Sequence, residues 1–301
     1  MLIKRLLAGC VIAALSNCAL ADGPMAAQAL FSNLARAGKN LKVSEQDARV
    51  TRTLVRGMYT VVDAKGVFVT FVNEDGTLYG DKNGLYIFPA QGAAPRKMSA
   101  KELAAFRLEV VNAIDRDALI MNVYGNGGER GRTVIFSSID CPACHDLEKD
   151  LGKPGRNAIF YVAPSTMLTN DGEGAEEWAI VAKLWCAKDN ARAWRNYMTT
   201  RALPAARPCA FADPMVARRA WINLYSILKN TGLTVSAEPG FVFEDGSFKV
   251  GADAADRPTP STTVKAQWLP QMFPPNPPSG LPLDSFLPQP VKTARRPERS
   301  D

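Results

Sequence analysis

Apolar positions recur with two different periods along this chain, and the places where the period changes mark its units. The stretch "AAQALFSNLARAG" (26–38) repeats apolar residues at helical spacing and predicts a helix. The pattern then shortens to alternation in "GMYTVVDAKGVFVTFVNEDGTLYGDKNGLYIF" (57–88). Its short β-rich runs are separated by Ala64-Lys65-Gly66, Glu74-Asp75-Gly76 and Lys82-Asn83-Gly84, which are hairpin signals, so a β-meander is predicted. A unit of roughly 70 residues with one small sheet buries little core alone. It is therefore expected to gain stability from a partner surface.

Helical spacing returns after Ser99-Ala100-Lys101-Glu102, a capping box in which the serine hydroxyl and the glutamate carboxylate satisfy backbone donors at a helix start. Leu103, Phe106, Val110 and Ile114 continue it, which predicts a helix joining two domains, closed by the flexible turn "YGNGGERGR". From Thr133 the texture changes again. "TVIFS" reads as a buried strand, "CHDLEKDL" as the start of a helix, and "AIFYVA" as a second buried strand. A long helical region beginning "AEEWAIVAKLWCAKDNARAWRNYM" follows, then a helix over "DPMVARRAWINLYSILKNTG" with Asp213 as N-cap, Pro214 in its first turn and Gly232 past its end. "PGFVFEDGSFKVG" predicts two strands around an Asp-Gly turn. Strand, helix, strand, helices and a terminal hairpin make an α/β layout. Beyond about Ala255 the Pro-rich composition predicts an extended tail without a core.

The first 21 residues, "MLIKRLLAGCVIAALSNCALA", combine a basic start, a short apolar run and Ala19-Leu20-Ala21, the pattern of a cleaved export signal. Cleavage is expected before Asp22, and no later segment is apolar enough to span a membrane. Of 301 residues, loss of 21 leaves 280, enough for two domains. The charge of +6 falls to +4 when Lys4 and Arg5 leave. That mild, interspersed balance speaks for solubility rather than nucleic-acid binding.

Export decides how the cysteines are read. Cys10 and Cys18 leave with the signal; Cys141, Cys144, Cys186 and Cys209 remain. An even number in an exported chain implies oxidised pairs. The two-residue gap and the distant second pair suggest a division into 141 with 144 and 186 with 209.

Cys141-Pro142-Ala143-Cys144, followed by the sole histidine His145, admits four readings. As a redox pair, Cys141 sits where a strand ends and a helix begins, and the free amides and dipole of that terminus favour thiolate over thiol. Pro142 fits the first turn because no donor is needed there. Cys144, one turn deeper, is the resolving thiol. As a haem attachment motif, Cys-x-x-Cys-His needs a distal ligand, and with no second histidine that falls to a methionine such as Met198 or Met215. As half of a zinc site, the pair needs Cys186 and Cys209 at a spacing that matches no familiar zinc pattern. As a purely structural disulfide, so short a loop contributes little. The redox reading fits best and needs neither metal nor cofactor beyond the thiols.

"FSSIDCPACHDLEKDL", with "LWCAKD" around Cys186 and "AEPGFVFEDGSFKVG", resembles the thioredoxin-fold domain of the periplasmic disulfide isomerases of the DsbC/DsbG family. The meander is similar to that family's N-terminal cystatin-like dimerisation domain, and the helix from Ser99 to its linker. The resemblance implies a signal peptide (1–21), a β-rich dimerisation domain (22–95), a linker helix and hinge (96–130), a thioredoxin-like catalytic domain with a helical insertion (131–255) and the Pro-rich tail (256–301). It implies that Cys141 is the nucleophile, Cys144 the resolving thiol, Cys186–Cys209 a structural disulfide and Pro239 a cis-proline facing the active pair. Isomerisation or reduction of wrong disulfides in exported proteins follows from it, carried out by a periplasmic homodimer that a membrane thiol reductase keeps reduced. A monomeric oxidase or reductase, or a chaperone whose apolar cleft does the work, are the alternatives. The chain departs from the family at Pro142-Ala143, where an aromatic second residue is usual, and at Glu238, where threonine is usual. A carboxylate at 238 opposes a thiolate at Cys141. His145 is expected either to modulate that thiolate by its charge or to be a solvated helix residue.

Overall fold

The computed structural model describes residues 23–81, 83–90, 92–127, 133–167, 174–233, 238–251 and 286–291. The expected signal peptide lies outside them, as does most of the Gly-rich turn at 128–132 and most of the tail.

The first half is a sheet with a helix on each face. Helix α1 (Gly23–Arg36) is followed by β1 (Arg49–Arg52), β2 (Met58–Val62), β3 (Phe68–Asn73), β4 (Leu78–Asp81), β5 (Gly84–Ile87) and β6 (Arg96–Lys97), then by α2 (Ala100–Ala113). The strands pair antiparallel in sequence order. Side-chain alternation sends Val50, Val61 and Val72 toward Ala26, Ala27, Leu30 and Leu34 of α1. It sends Met58, Phe71, Leu78 and Leu85 to the other face, into a core shared with Phe106, Val110 and Val111 of α2. The small sheet thus finds its second apolar surface within its own chain.

Helix α2 is more than an exposed connector. Ser99 and Glu102 form both bonds of the capping box, and Arg96 forks onto Glu102 at 2.9 and 2.6 Å. Its far end is stitched to the first sheet by Arg56 N–H to Ala113 O (2.9 Å) and Asp115 N–H to Leu54 O (2.8 Å).

A 3-10 turn (Arg116–Ala118) leads into β7 (Ile120–Tyr124), β8 (Val134–Ser138), α3 (Pro142–Leu151), β9 (Ala158–Ser165), α4 (Ala175–Trp185), α5 (Asn190–Thr200), α6 (Pro214–Asn230), β10 (Gly240–Val242), β11 (Phe248–Val250) and a last short strand, β12 (Gln289–Pro290). Five of these strands form a sheet in the order β11-β10-β8-β9-β7. Only β8 and β9 are parallel; the other neighbours run antiparallel. This mixed α/β arrangement is thioredoxin-like. Strand β7 lies inside the stretch expected to be linker and hinge, yet it is the edge strand of this sheet. Ile120, Asn122 and Tyr124 are buried while Met121 and Val123 are exposed, a one-sided pattern that the helix just before it masks in the sequence.

The long helical region divides. Cys186 caps α4, and α5 starts afresh after Asp189, whose carboxylate accepts from Arg192 N–H at 2.9 Å. Helix α6 buries Val216, Ala217, Ala220, Trp221, Leu224, Ile227 and Leu228 along one face. Its C-terminal carbonyl at Thr231 receives Arg107 of α2 through two nitrogens at 3.0 and 2.7 Å, which ties the halves together. Gly232, at φ +86°, makes the left-handed exit that ends the helix.

Of the Pro-rich segment, residues 286–291 are described, and they are docked. Phe286 is buried against Phe211, with ring centroids 5.0 Å apart, and Phe211 stacks on Trp185 at 4.2 Å. Strand β12 then pairs with β1, placing Pro290 opposite Arg49 and Gln289 opposite Val50.

Candidate functional site

The site is built where three adjacent strands end together. Strand β8 stops at Ser138, the chain turns at Ile139-Asp140, and α3 begins at Pro142 with Cys141 as its N-cap. The parallel register sets Ser138 opposite Ser165 of β9. The antiparallel register sets Gly240 of β10 opposite Phe136, and continuing it by two residues brings Glu238 beside Ser138. A row of Ser165, Ser138 and Glu238 is therefore dictated by strand pairing, with Cys141 at its end.

Cys141 and Cys144 are both free thiols. The Cys141 sulfur accepts from the Cys144 backbone N–H at 3.2 Å, taking the place that an oxygen usually holds at a helix N-cap. It also lies 3.5 Å from the Glu238 carbonyl, a contact that only the protonated thiol can make because a carbonyl has no donor. Cys141 retains 5 % exposure and Cys144 1 %, while Pro142 and Ala143 between them are exposed. Burial pushes the Cys144 thiol well up, and its hydrogen bond with Cys141 adds to that. The outer sulfur is thus the one with access and helix-end donors, and the inner one is the sulfur that holds its proton.

Glu238 precedes Pro239 through a cis peptide bond. Its Oε1 accepts from the Ser165 hydroxyl at 2.9 Å, and its Oε2 is buried with no hydrogen-bond partner. Burial pushes this carboxyl up to about 7, and the charge of Asp140 adds to the effect against hydrogen bonds from Ser165 and Ser138. Asp140 closes the turn before Cys141. It accepts from the Ser138 hydroxyl, from Thr166 Oγ1 at 2.9 Å and from the Met167 backbone N–H at 2.9 Å.

His145 is buried between α3 and α5, which removes the expectation of a solvated helix residue. Its Nδ1 lies 2.5 Å from Met198 O in the last turn of α5, and its Nε2 lies 2.8 Å from Ile139 O. Both ring nitrogens are thus occupied by backbone carbonyls. Neither nitrogen is left for a metal ligand bond. Arg201 also donates to Ile139 O, at 2.6 Å.

Cys186 and Cys209 are joined in a disulfide, with Cα atoms 5.5 Å apart and a sequence separation of 23. It staples the segment after α5 to the end of α4, beside Trp185 and Phe211 and apart from the free thiols.

The structure brings Cys141, Cys144, Glu238 and Pro239 together, with His145 one turn behind and Cys186–Cys209 elsewhere. Sequence reasoning missed Ser138, Asp140, Ser165 and Thr166, the hydroxyls and carboxylate around Glu238. The "SSID" at the end of β8 was the one available signal, and it is weak without the strand register. It also missed Glu148, which looks like a solvated position in "DLEKDL" but is buried. There it accepts from the Tyr124 hydroxyl at 2.5 Å and the Trp194 indole at 3.3 Å, and burial raises its carboxyl above the ordinary range.

No protein-family profile matches the chain, and no curated protein matches it. Among solved structures it is similar to a disulfide interchange protein from Neisseria gonorrhoeae, at 26% identity over 45% of this chain and 86% of that one, with a TM-score of 0.34. It is also similar to Helicobacter pylori DsbG, at 12% identity over 70% of this chain and 97% of that one, with a TM-score of 0.30. TM-scores this low carry no argument about function; the geometry of the thiol site does.

Proposed function

We propose that this chain is a thiol–disulfide interchange protein that isomerises or reduces non-native disulfides in exported proteins. The observation that carries the reading is the asymmetry of the free pair. Cys141 caps a helix with its sulfur on a backbone N–H, while Cys144 sits one turn deeper and holds its proton. The Cys141 thiolate attacks one sulfur of a client disulfide, forming a mixed disulfide and releasing the other sulfur as a thiolate. A second client thiolate then displaces Cys141, which is isomerisation, or Cys144 does so, which leaves the client reduced and the pair oxidised. No cofactor enters; the electrons come from the two thiols, and in the compartment a membrane thiol reductase restores them. The expected location is the periplasm, after cleavage before Asp22. No helix among the described residues is long and apolar enough to cross a membrane.

Reactivation of scrambled ribonuclease by wild type and by Cys141→Ala tests the activity. Wild type restores ribonuclease activity and the variant does not. If neither does so while both suppress aggregation equally, the interchange reading fails and a chaperone role replaces it. The chain is further read as a homodimer through its first domain. Val67 and Phe68, exposed at the tip of the β2–β3 hairpin, offer apolar surface for that contact. A monomeric mass by light scattering at micromolar concentration refutes the dimer.

A further inference from the structure

Arg201 stands in a backbone conformation that its side chain disfavours. At φ 64° and ψ 14° it caps α5 in the left-handed region, and among the described residues it is the one non-glycine residue with a positive φ. A helix exit of this kind ordinarily falls to glycine, because a Cβ there crowds the backbone. Gly232 fills that role after α6. A bulky residue held at such an angle marks a place where other contacts outweigh the strain.

The backbone N–H of Arg201 donates to Tyr197 O at 2.9 Å, a bond that glycine would make equally well. Its guanidinium lies over the Tyr197 ring, 5.4 Å from the centroid, and its Nη1 donates to Ile139 O at 2.6 Å. Of these contacts, those of the guanidinium need the arginine side chain, and the bond to Ile139 is the one that leaves α5. It reaches the turn between β8 and α3.

That turn carries the nucleophile. Ile139 stands two residues before Cys141, whose own N–H reaches Ser138 O only at 3.4 Å, so the turn depends on other ties. Ile139 N–H donates to Ser165 O at 2.9 Å, and the Asp140 carboxylate is held from the β9 side by Thr166 and Met167. On the other side Ile139 O meets two nitrogens, Arg201 Nη1 from α5 at 2.6 Å and His145 Nε2 from α3 at 2.8 Å. His145 Nδ1 in turn touches Met198 O, in the last turn of α5 before Arg201. The end of α5, the His145 ring and the Ile139 carbonyl thus close a loop of contacts behind Cys141.

We propose that Arg201 is a positioning residue for Cys141: from the end of α5 its guanidinium fixes the Ile139 carbonyl, and with it the turn that presents the nucleophilic sulfur. The inference rests on the thiol–disulfide reading and adds to it a residue that acts through a main-chain carbonyl. A charged donor holds such a carbonyl about twice as strongly as a neutral one. A reacting atom displaced by as little as about 1 Å can cost two orders of magnitude in rate.

Rapid mixing of the full-length reduced protein with oxidised glutathione at one fixed pH, with mass analysis of quenched samples, reads the first exchange. The Cys141 thiolate attacks one glutathione sulfur. The Cys141–glutathione bond forms, the glutathione disulfide breaks, and the second glutathione leaves as a thiolate. Cys141 is oxidised to the mixed disulfide and the departing glutathione is reduced. Arg201→Lys keeps a charged donor of similar reach, Arg201→Met keeps the length without the donor, and both keep a Cβ at the left-handed position. Arg201→Gly removes the donor and the strain together. Mixed-disulfide formation should slow by about 10-fold in the Met and Gly variants and stay within about threefold of wild type in the Lys variant. The thermal midpoint of the Gly variant should stay within about 3 °C of wild type, since relief of the strained angle offsets the lost bond. A merely structural role would lower that midpoint and leave the rate of the folded protein alone. Equal rates in the Lys and Met variants, or a wild-type rate in the Gly variant, overturn the role of Arg201 and leave the interchange reading intact. If Arg201→Gly does not fold, the comparison of Lys with Met decides. Failure of wild type to form the mixed disulfide overturns the interchange reading and this inference with it.

Discussion

Glu238→Gln has a consequence for stability that can be worked out from the site. The folded carboxyl, at about 7, lies roughly 2.5 pH units above its ordinary 4.5, and burial is the main cause. The sign follows from proton counts. Below about pH 4.5 the group is protonated in both the folded and unfolded chain, and it contributes no pH dependence. Between about 4.5 and 7 the unfolded chain releases its proton first, so folding is progressively disfavoured as pH rises. Above about 7 both forms are ionised, and the folded chain carries the full penalty of a buried carboxylate. At 1.36 kcal/mol per pH unit the penalty is about 3 kcal/mol. Glutamine has nearly the same shape and does not ionise. The difference in unfolding free energy between Glu238→Gln and wild type should therefore grow by about 3 kcal/mol in favour of the variant between about pH 4.5 and pH 8. Taking the difference removes Glu109, another partly buried carboxyl pushed up to about 7, because both proteins carry it. Urea denaturation followed by tryptophan fluorescence at about pH 5 and pH 8, with Cys141 and Cys144 in one redox state throughout, measures the difference. Trp178 and Trp194 are fully buried and report on the second domain. A difference that does not change with pH would mean that the carboxyl ionises as freely folded as unfolded. The account of Glu238 as a desolvated acid would then be refuted.

Replacing both Cys186 and Cys209 by serine opens a loop of about two dozen residues. The chain-entropy relation puts the loss at about 3.5 kcal/mol, measurable by urea or thermal denaturation, and a loss below about 1 kcal/mol would show that the bond constrains little. Phe286→Ala should release the docked tail segment, with a stability loss of about 3 kcal/mol from an aromatic side chain that is 2 % exposed. Hydrogen exchange at the Arg49 and Val50 positions, where β12 pairs, should quicken, and unchanged protection there would refute the docking.

Much of this protein was legible in its sequence because the signals were local. The hairpin glycines at 66, 76 and 84, the Ser99–Glu102 box and the Asp213-Pro214 helix start each act over a few residues, and the structure places turns and caps at those positions. The end of β8 at a Cys-x-x-Cys that opens a helix was equally readable, since a strand-to-helix junction needs only the change of period at Thr133. Phe286 illustrates the reverse. A proline-rich stretch reads as coreless by composition, and only the aromatic pocket of Trp185 and Phe211, far before it in the chain, gives one of its residues a buried place.

The sequence by itself determined the hairpin turns of the first sheet, the starts of α2 and α6 and which thiol stands at a helix N-terminus, because period, caps and turn residues are short-range properties. The tertiary structure alone decided what surrounds that thiol. Strand register set Ser165, Ser138 and Glu238 side by side across three strands, and helix packing put the His145 ring between two carbonyls. It also laid α2 over the first sheet, so that a face expected to seek a partner is covered in the same chain. These are contacts between residues far apart in sequence. Their energies, above all the cost of burying the Glu238 charge, exist only once the sheet has brought the strands together.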